Sequence, residues 1–192
     1  MSVSPVLAAL RAATADLHQA VETGAEVEAR LRDPALRPVM VARLHLLHAS
    51  FEGAVAPWTG EMERAGHVPQ SRSPLIADGL DALGLTQPPP RAPAVVASFG
   101  EAIGWTYVAE GSSLGGRVMR RAMLADGIDL TGLDFLDPHG EDTGPRWRGF
   151  LAAMDRACAA GHARPADVVL GGRDAFILAT DLLGETASAE CA

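Results

Sequence analysis

Two places in this 192-residue chain carry residue types at spacings that could do chemistry: His18 with its helical neighbours, and the segment Tyr107 to Arg117. On a helical wheel, Leu7, Thr14 and Val21 fall within about 60° of His18 on one side, with Leu10 and Leu17 beyond them. Arg11 and Glu22 fall within about 40° on the other side. His18 therefore borders the apolar stripe, where a side chain can reach a ligand wedged between helices. A metal-ligating histidine commonly donates its second N–H to an oxygen, and Glu22 at i+4 is in reach to accept it. The alternative is a half-buried histidine satisfied by that same carboxylate.

The second place reads Tyr107-Val-Ala-Glu-Gly111-Ser112-Ser-Leu-Gly115-Gly116-Arg117. Each glycine in a helix interior costs about 1 kcal/mol relative to alanine, so three within six residues disfavour this helix by roughly 3 kcal/mol. Something needs the backbone bare. Close helix–helix packing through the Gly111/Gly115 face is one reason. A flat ligand lying against a kinked helix is the other. A phosphate loop is excluded by the lack of a preceding strand and of a GKS or GKT sequence.

A further trio, His45, His48 and Glu52, could ligate a metal from one helix. His48 shares its face with Leu44, Phe51 and Val55, which favours an ordinary core or surface histidine. The chain has no Glu-x-x-His, which argues against a di-iron site of ferritin type. His67, His139 and His162 fall in loops or at helix ends and are assigned nothing.

The elements that must position these residues read as helices throughout. Ser4-Pro5 opens the first with an N-cap and a proline at the first helical position, and the periodicity runs to about Glu22. Asp33-Pro34 restarts the pattern, which continues to Pro57. Short helices follow from Thr59 to Gly66 and from Ser73-Pro74 to near Gly84. Thr86 to Pro93 holds four of the 13 prolines and reads as a stiff connector. One long helix is expected from Ala94 to about Leu124, a loop over 126–143, and helices from about Pro145 to Ala160 and from Pro165 to Leu183. With no repeat and no convincing strand, the expectation is a single all-α domain over 1–192, its core at about 5–184 and its C-terminal tail frayed.

Composition narrows the function. Hydrophobic residues make up 48% and charged residues 21%, a globular profile rich in Ala, Leu and Val. The formal charge of −8 excludes a basic stripe for nucleic acid, although it could steer a basic redox partner. Cys158 and Cys191 form no CxxC, which fits a reducing compartment. No apolar run has membrane-spanning length and no signal-peptide core opens the chain, so no membrane association and a cytoplasmic location are expected.

Taken together, the motifs resemble the haem (heme) oxygenase family, nearest its bacterial branch associated with bacteriophytochromes. Three blocks carry the resemblance: Leu10 to Glu22, similar to the proximal helix; Tyr107 to Arg117, similar to a YVxEGSxLGGR distal helix; and Gly140-Glu-Asp-Thr-Gly-Pro-Arg-Trp147-Arg-Gly-Phe150, similar to a GxxTGxxWxxF block. Order and spacing agree from about Leu7 to Leu183. The resemblance implies an all-α, haem-oxygenase-like helical bundle, with haem between the proximal helix and a glycine-kinked distal helix.

It further implies His18 as the proximal iron ligand with Glu22 as its acceptor, and Gly111, Ser112, Gly115 and Gly116 as the distal, catalytic wall. Arg11 matches a basic position that meets a haem propionate, and Arg148 matches another. Tyr107 and Arg117 are carried over with their block, and Phe176 matches an aromatic on the haem edge. Haem would be both substrate and cofactor, opened with dioxygen and an external reductant to biliverdin, carbon monoxide and ferrous iron. A ferredoxin or flavoprotein reductase would supply electrons, and a bacteriophytochrome would accept the product. Where many members carry a distal Asp, this chain has Ser112, which leaves hydroxyls, waters and Glu110 as candidates for the proton path. That departure also supports a second reading, a non-catalytic haem or bilin carrier or sensor on the same fold.

Overall fold

Pro5–Ala25 form the first helix, α1, capped as the sequence indicates: Ser4 Oγ accepts from Leu7 N at 3.3 Å, and proline occupies the first turn. The computed structural model describes residues 4–184; the C-terminal tail expected to fray lies outside them. The helix outruns its expected end near Glu22 and stops where Glu26 adopts a left-handed conformation (φ 46°). A short helix not foreseen from the sequence, α2 (Val27–Arg32), follows directly. The polar run Glu22-Thr23-Gly24 hides the periodicity there, yet Ala25 and Leu31 are both buried.

Helices α3 (Arg37–Val55), α4 (Thr59–Arg64) and α5 (Ser73–Ala82) come next. The start of α3 falls later than Asp33-Pro34 because Asp33 turns back to accept from Ala35 N at 2.8 Å, closing a local turn. The proline-rich connector is held near its end by Trp58, whose indole N–H donates to Val96 O at 3.2 Å.

The long helix α6 spans Phe99–Ala125 and continues through all three glycines of its middle. It begins later than Ala94 because a capping box sets its start. Ser98 Oγ accepts from Glu101 N at 3.2 Å, while Glu101 Oε2 accepts from Ala97 N at 2.9 Å. Helices α7 (Thr143–Ala159) and α8 (Pro165–Gly184) complete an all-helical single domain.

The final helix, α8, is the spine: α1 and α6 both pack along it. Glycines make the approach close. A Cβ on Gly104 would fall on the Val168 carbonyl oxygen and the Gly172 nitrogen, and one on Gly171 would fall on the Glu101 carbonyl. Leu10 of α1 fills the space over Gly172, at 2.5 Å from where its Cβ would stand. Two apolar clusters flank this seam. One gathers Leu31, Leu44, Phe51, Trp105, Val108 and Phe176, and the other Leu7, Leu10, Phe99, Phe150 and Met154.

Candidate functional site

His18 lies on the solvent-facing border of α1, with its side chain 58% exposed, so the ring is free to receive a ligand. Its Nδ1 is 3.4 Å from Glu22 Oε1, the i+4 relation that the sequence implies. The ring stands edge-on to Phe176 of α8, with centroids 5.5 Å apart and planes at 67°. His18, Glu22 and Phe176 are thus brought together, although Phe176 is far away in sequence. With Nδ1 turned to Glu22, Nε2 is the nitrogen left to face outward. Arg11 is exposed on the same helix.

On α6 the three glycines separate into different roles. A Cβ on Gly115 would meet nothing within 4 Å, and one on Gly111 would make only ordinary contact with Trp147 at 3.6 Å. Neither is a close helix–helix contact, so the packing explanation does not account for them. Gly116 differs: its Cβ would fall on the Leu136 carbonyl, where the turn Asp134–Leu136 presses against α6. Packing against that turn explains the bare backbone at Gly116. Ser112 is exposed beside Gly115.

The remaining expected residues are spread around α6. Tyr107 packs against Trp147 of α7 at 5.3 Å, and Trp147 stacks on Phe150 at 5.8 Å. Arg117 lies 3.8 Å from Asp137 in a half-buried ion pair. Arg148 points to solvent on α7.

Behind α6 stands a polar cluster that spacing alone does not reveal. Glu110 is buried and receives Arg146 through NH2 at 2.7 Å and Nε at 3.1 Å, with His67 Nε2 at 3.0 Å. Burial alone would raise its pKa, but His67 and Arg146 outweigh that and hold the carboxyl down at about 2. Glu110 is therefore held as a carboxylate at neutral pH, tied to Arg146 and His67. Arg146 also donates to Val68 O at 2.8 Å, which ties the loop before α5 to α6 and α7.

Glu52 of α3 accepts from the backbone N–H groups of Arg72 (2.6 Å) and Ser73 (2.8 Å) and from the Ser73 hydroxyl, so it caps α5. His48 is buried and neutral: burial, then Arg72, then His45 push its pKa well below the usual imidazole range. Among the described residues no group of three or more His, Cys, Asp or Glu side chains could hold a metal, so His45, His48 and Glu52 are not a metal site. A cavity of about 210 Å³ lies between these residues and α6, lined by His48, Glu52, Arg72, Thr106, Glu110 and Ser113 among others.

A protein called heme oxygenase from Xanthomonas campestris pv. campestris is 32% identical to this chain over 148 residues, covering 71% of the chain and 82% of that protein. The chain belongs to the haem oxygenase family. The oxidoreductase class comes with that membership. The fold agrees with the solved heme oxygenase of Neisseria meningitidis, whose structures carry bound NO and CO: the TM-score is 0.73 at 22% identity, covering 94% of this chain and 92% of that one. No family model matches the chain. No helix among the described residues is long and apolar enough to cross a membrane.

Proposed function

We propose that this chain binds haem through His18, against the Gly111/Gly115 face of α6, and degrades it to biliverdin with release of carbon monoxide and ferrous iron. The observation that carries the reading is the pairing of two open features on helices that share α8 as their support. One is an exposed imidazole oriented by Glu22 and Phe176, and the other is a helix face where Gly115 leaves room for a flat ligand. These residues fit a haem.

When bound, haem supplies the oxidative chemistry, with dioxygen and electrons from an external donor such as a ferredoxin or flavoprotein reductase. The chain supplies position. His18 would hold the iron through Nε2, with Glu22 Oε1, 3.4 Å from Nδ1, placed to accept the Nδ1–H and so set the orientation of the ring. Phe176 limits rotation of the imidazole by its edge contact. Gly111 and Gly115 would let the backbone of α6 lie close against the bound group. Arg11, exposed on α1, would meet a propionate, and Arg148, exposed on α7, is the second candidate for that contact.

One experiment tests both binding and turnover. Wild type should form a one-to-one complex with haemin whose spectrum reports a single histidine. His18→Ala should lose that ligation, and added imidazole should restore it in part. Adding ascorbate in air should collapse the Soret band while a bilin absorbance grows. An unchanged spectrum in His18→Ala removes His18 from the site. Stable haem with no bilin, under ample reductant, favours the carrier or sensor reading.

A further inference from the structure

Arg72 reaches the rear of α6 from the loop before α5, and hydroxyls and an imidazole meet it there instead of a carboxylate. Its NH1 donates to Ser112 Oγ at 3.0 Å and lies 3.3 Å from His48 Nε2, while NH2 donates to Ser113 Oγ. The titratable and charged groups around it come from every neighbouring element: His48 and Glu52 of α3, Glu110 of α6, Arg146 of α7, and His67 and His139 of the loops. Both carboxylates are held elsewhere, Glu52 by the N-terminus of α5 and Glu110 by Arg146 and His67. Burial lowers the Arg72 pKa, Glu110 and Glu52 offset part of this, and Arg146 lowers it further. The result is about 10, so the group remains a cation at neutral pH.

A guanidinium only donates, which fixes the protons of His48 and Ser112. His48 Nε2 must accept, so its proton sits on Nδ1. Ser112 Oγ accepts from Arg72 and gives its own proton to Ala109 O at 2.7 Å. The hydroxyl on the open side of α6 is thereby left with accepting capacity alone, and a buried positive charge stands behind it.

We propose that Arg72 is a positioning residue of the site: it locks Ser112 as a hydrogen-bond acceptor and sets a positive potential behind the Gly111/Gly115 face. This rests on the reading that haem lies against that face. A small ligand on the iron there would be favoured in its more negative form, and a water held by Ser112 would turn one proton toward the serine. Arg72 itself touches neither haem nor its ligand.

The test uses haemin complexes of wild type, Arg72→Met, Arg72→Lys, Ser112→Ala and the double variant Arg72→Met/Ser112→Ala. The quantity read is the pH at which each complex converts between its acidic and alkaline spectral forms. Arg72→Met should move that pH up by about one unit, since the cation that favours the alkaline form is gone. Arg72→Lys should restore most of the shift by restoring the charge. Ser112→Ala should move it down, since the lost acceptor favoured the form with more protons to donate, and the double variant should match Arg72→Met, because without the arginine the serine is no longer locked as an acceptor. An unmoved transition in Arg72→Met overturns the proposal, and so does a lysine variant that behaves like methionine. If Arg72→Met does not fold, Arg72→Lys at the wild-type value and Ser112→Ala shifted downward support it, and an unmoved Ser112→Ala overturns it. Failure of wild type to bind haemin would instead sink the functional reading itself.

Discussion

Gly104 and Gly115 project from the same side of α6, eleven residues and about 20° apart on the helical wheel, yet they are bare for opposite reasons. At Gly104 the face is closed: the backbone of α8 occupies the place a Cβ would take. At Gly115 the same face is open, with nothing within 4 Å. One helix therefore uses glycine first to press against its support and then, three turns later, to keep a surface clear. Glycine in a helix is thus no sign of a site unless its neighbour is known. An intimate contact and a ligand face look alike in sequence, and what separates them is whether the space beside the missing side chain is already filled.

The largest effect should come from filling the closed end. Gly104→Leu forces a side chain into the Val168 and Gly172 backbone, and backbone cannot rotate away as a side chain could. We expect a loss at or above the upper end of the roughly 1–3 kcal/mol typical of overpacking, with much of the protein failing to fold. Circular dichroism melts of the purified variant measure it. A Tm within a few degrees of wild type would show that α6 and α8 can part easily, and the comparison with Gly115 would fail.

The polar rear of α6 sharpens the contrast between its two sides. Glu110→Gln removes the carboxylate that Arg146 and His67 share, and should destabilise the fold by about 3 kcal/mol at neutral pH. Its pH dependence has a definite sign. The folded-state pKa, about 2, lies below the ordinary value of 4.5. The carboxylate's stabilisation is therefore fully present above about pH 4.5 and is lost as pH falls through about 2. The Tm gap between wild type and Glu110→Gln should accordingly be constant above that window and close within it. A gap that stays constant down to pH 2 would mean that charge is not what holds this corner.

How much of this was readable beforehand depends on how far apart the partners lie in the chain. His18 and Glu22 are one helical turn apart, so their pairing follows from spacing alone. The caps at Ser4 and Ser98 are similarly local, although the proline run before Ser98 masked the second. The closed glycines were missed because their reason is α8, which the chain reaches more than sixty residues after Gly104. Arg72 was invisible for the same cause: its partners sit on α3 and in the middle of α6. Arg146 lies within the Gly140–Phe150 block, yet nothing local marks its role, since only folding brings Glu110 and His67 to it. Gly116 was grouped with its neighbour Gly115, but a helix turns by about 100° per residue, so adjacent positions face different surroundings.

The smallest effect on stability should come from filling the open end, and that is what makes it informative. Gly115→Leu adds a side chain where there is space and removes a glycine from a helix interior. The apoprotein should melt at the wild-type temperature or higher, with a gain of up to about 1 kcal/mol. The same leucine would occupy the face proposed to lie against haem. Carbon monoxide affinity of the reduced haem complex should then fall steeply, while His18 ligation persists in the ferric spectrum. Apoprotein stability and ligand affinity thus move in opposite directions, which no simple packing role would produce. If the apoprotein instead loses roughly 1–3 kcal/mol and carbon monoxide binds normally, Gly115 is a contact after all, and the open face must be sought elsewhere on the helix.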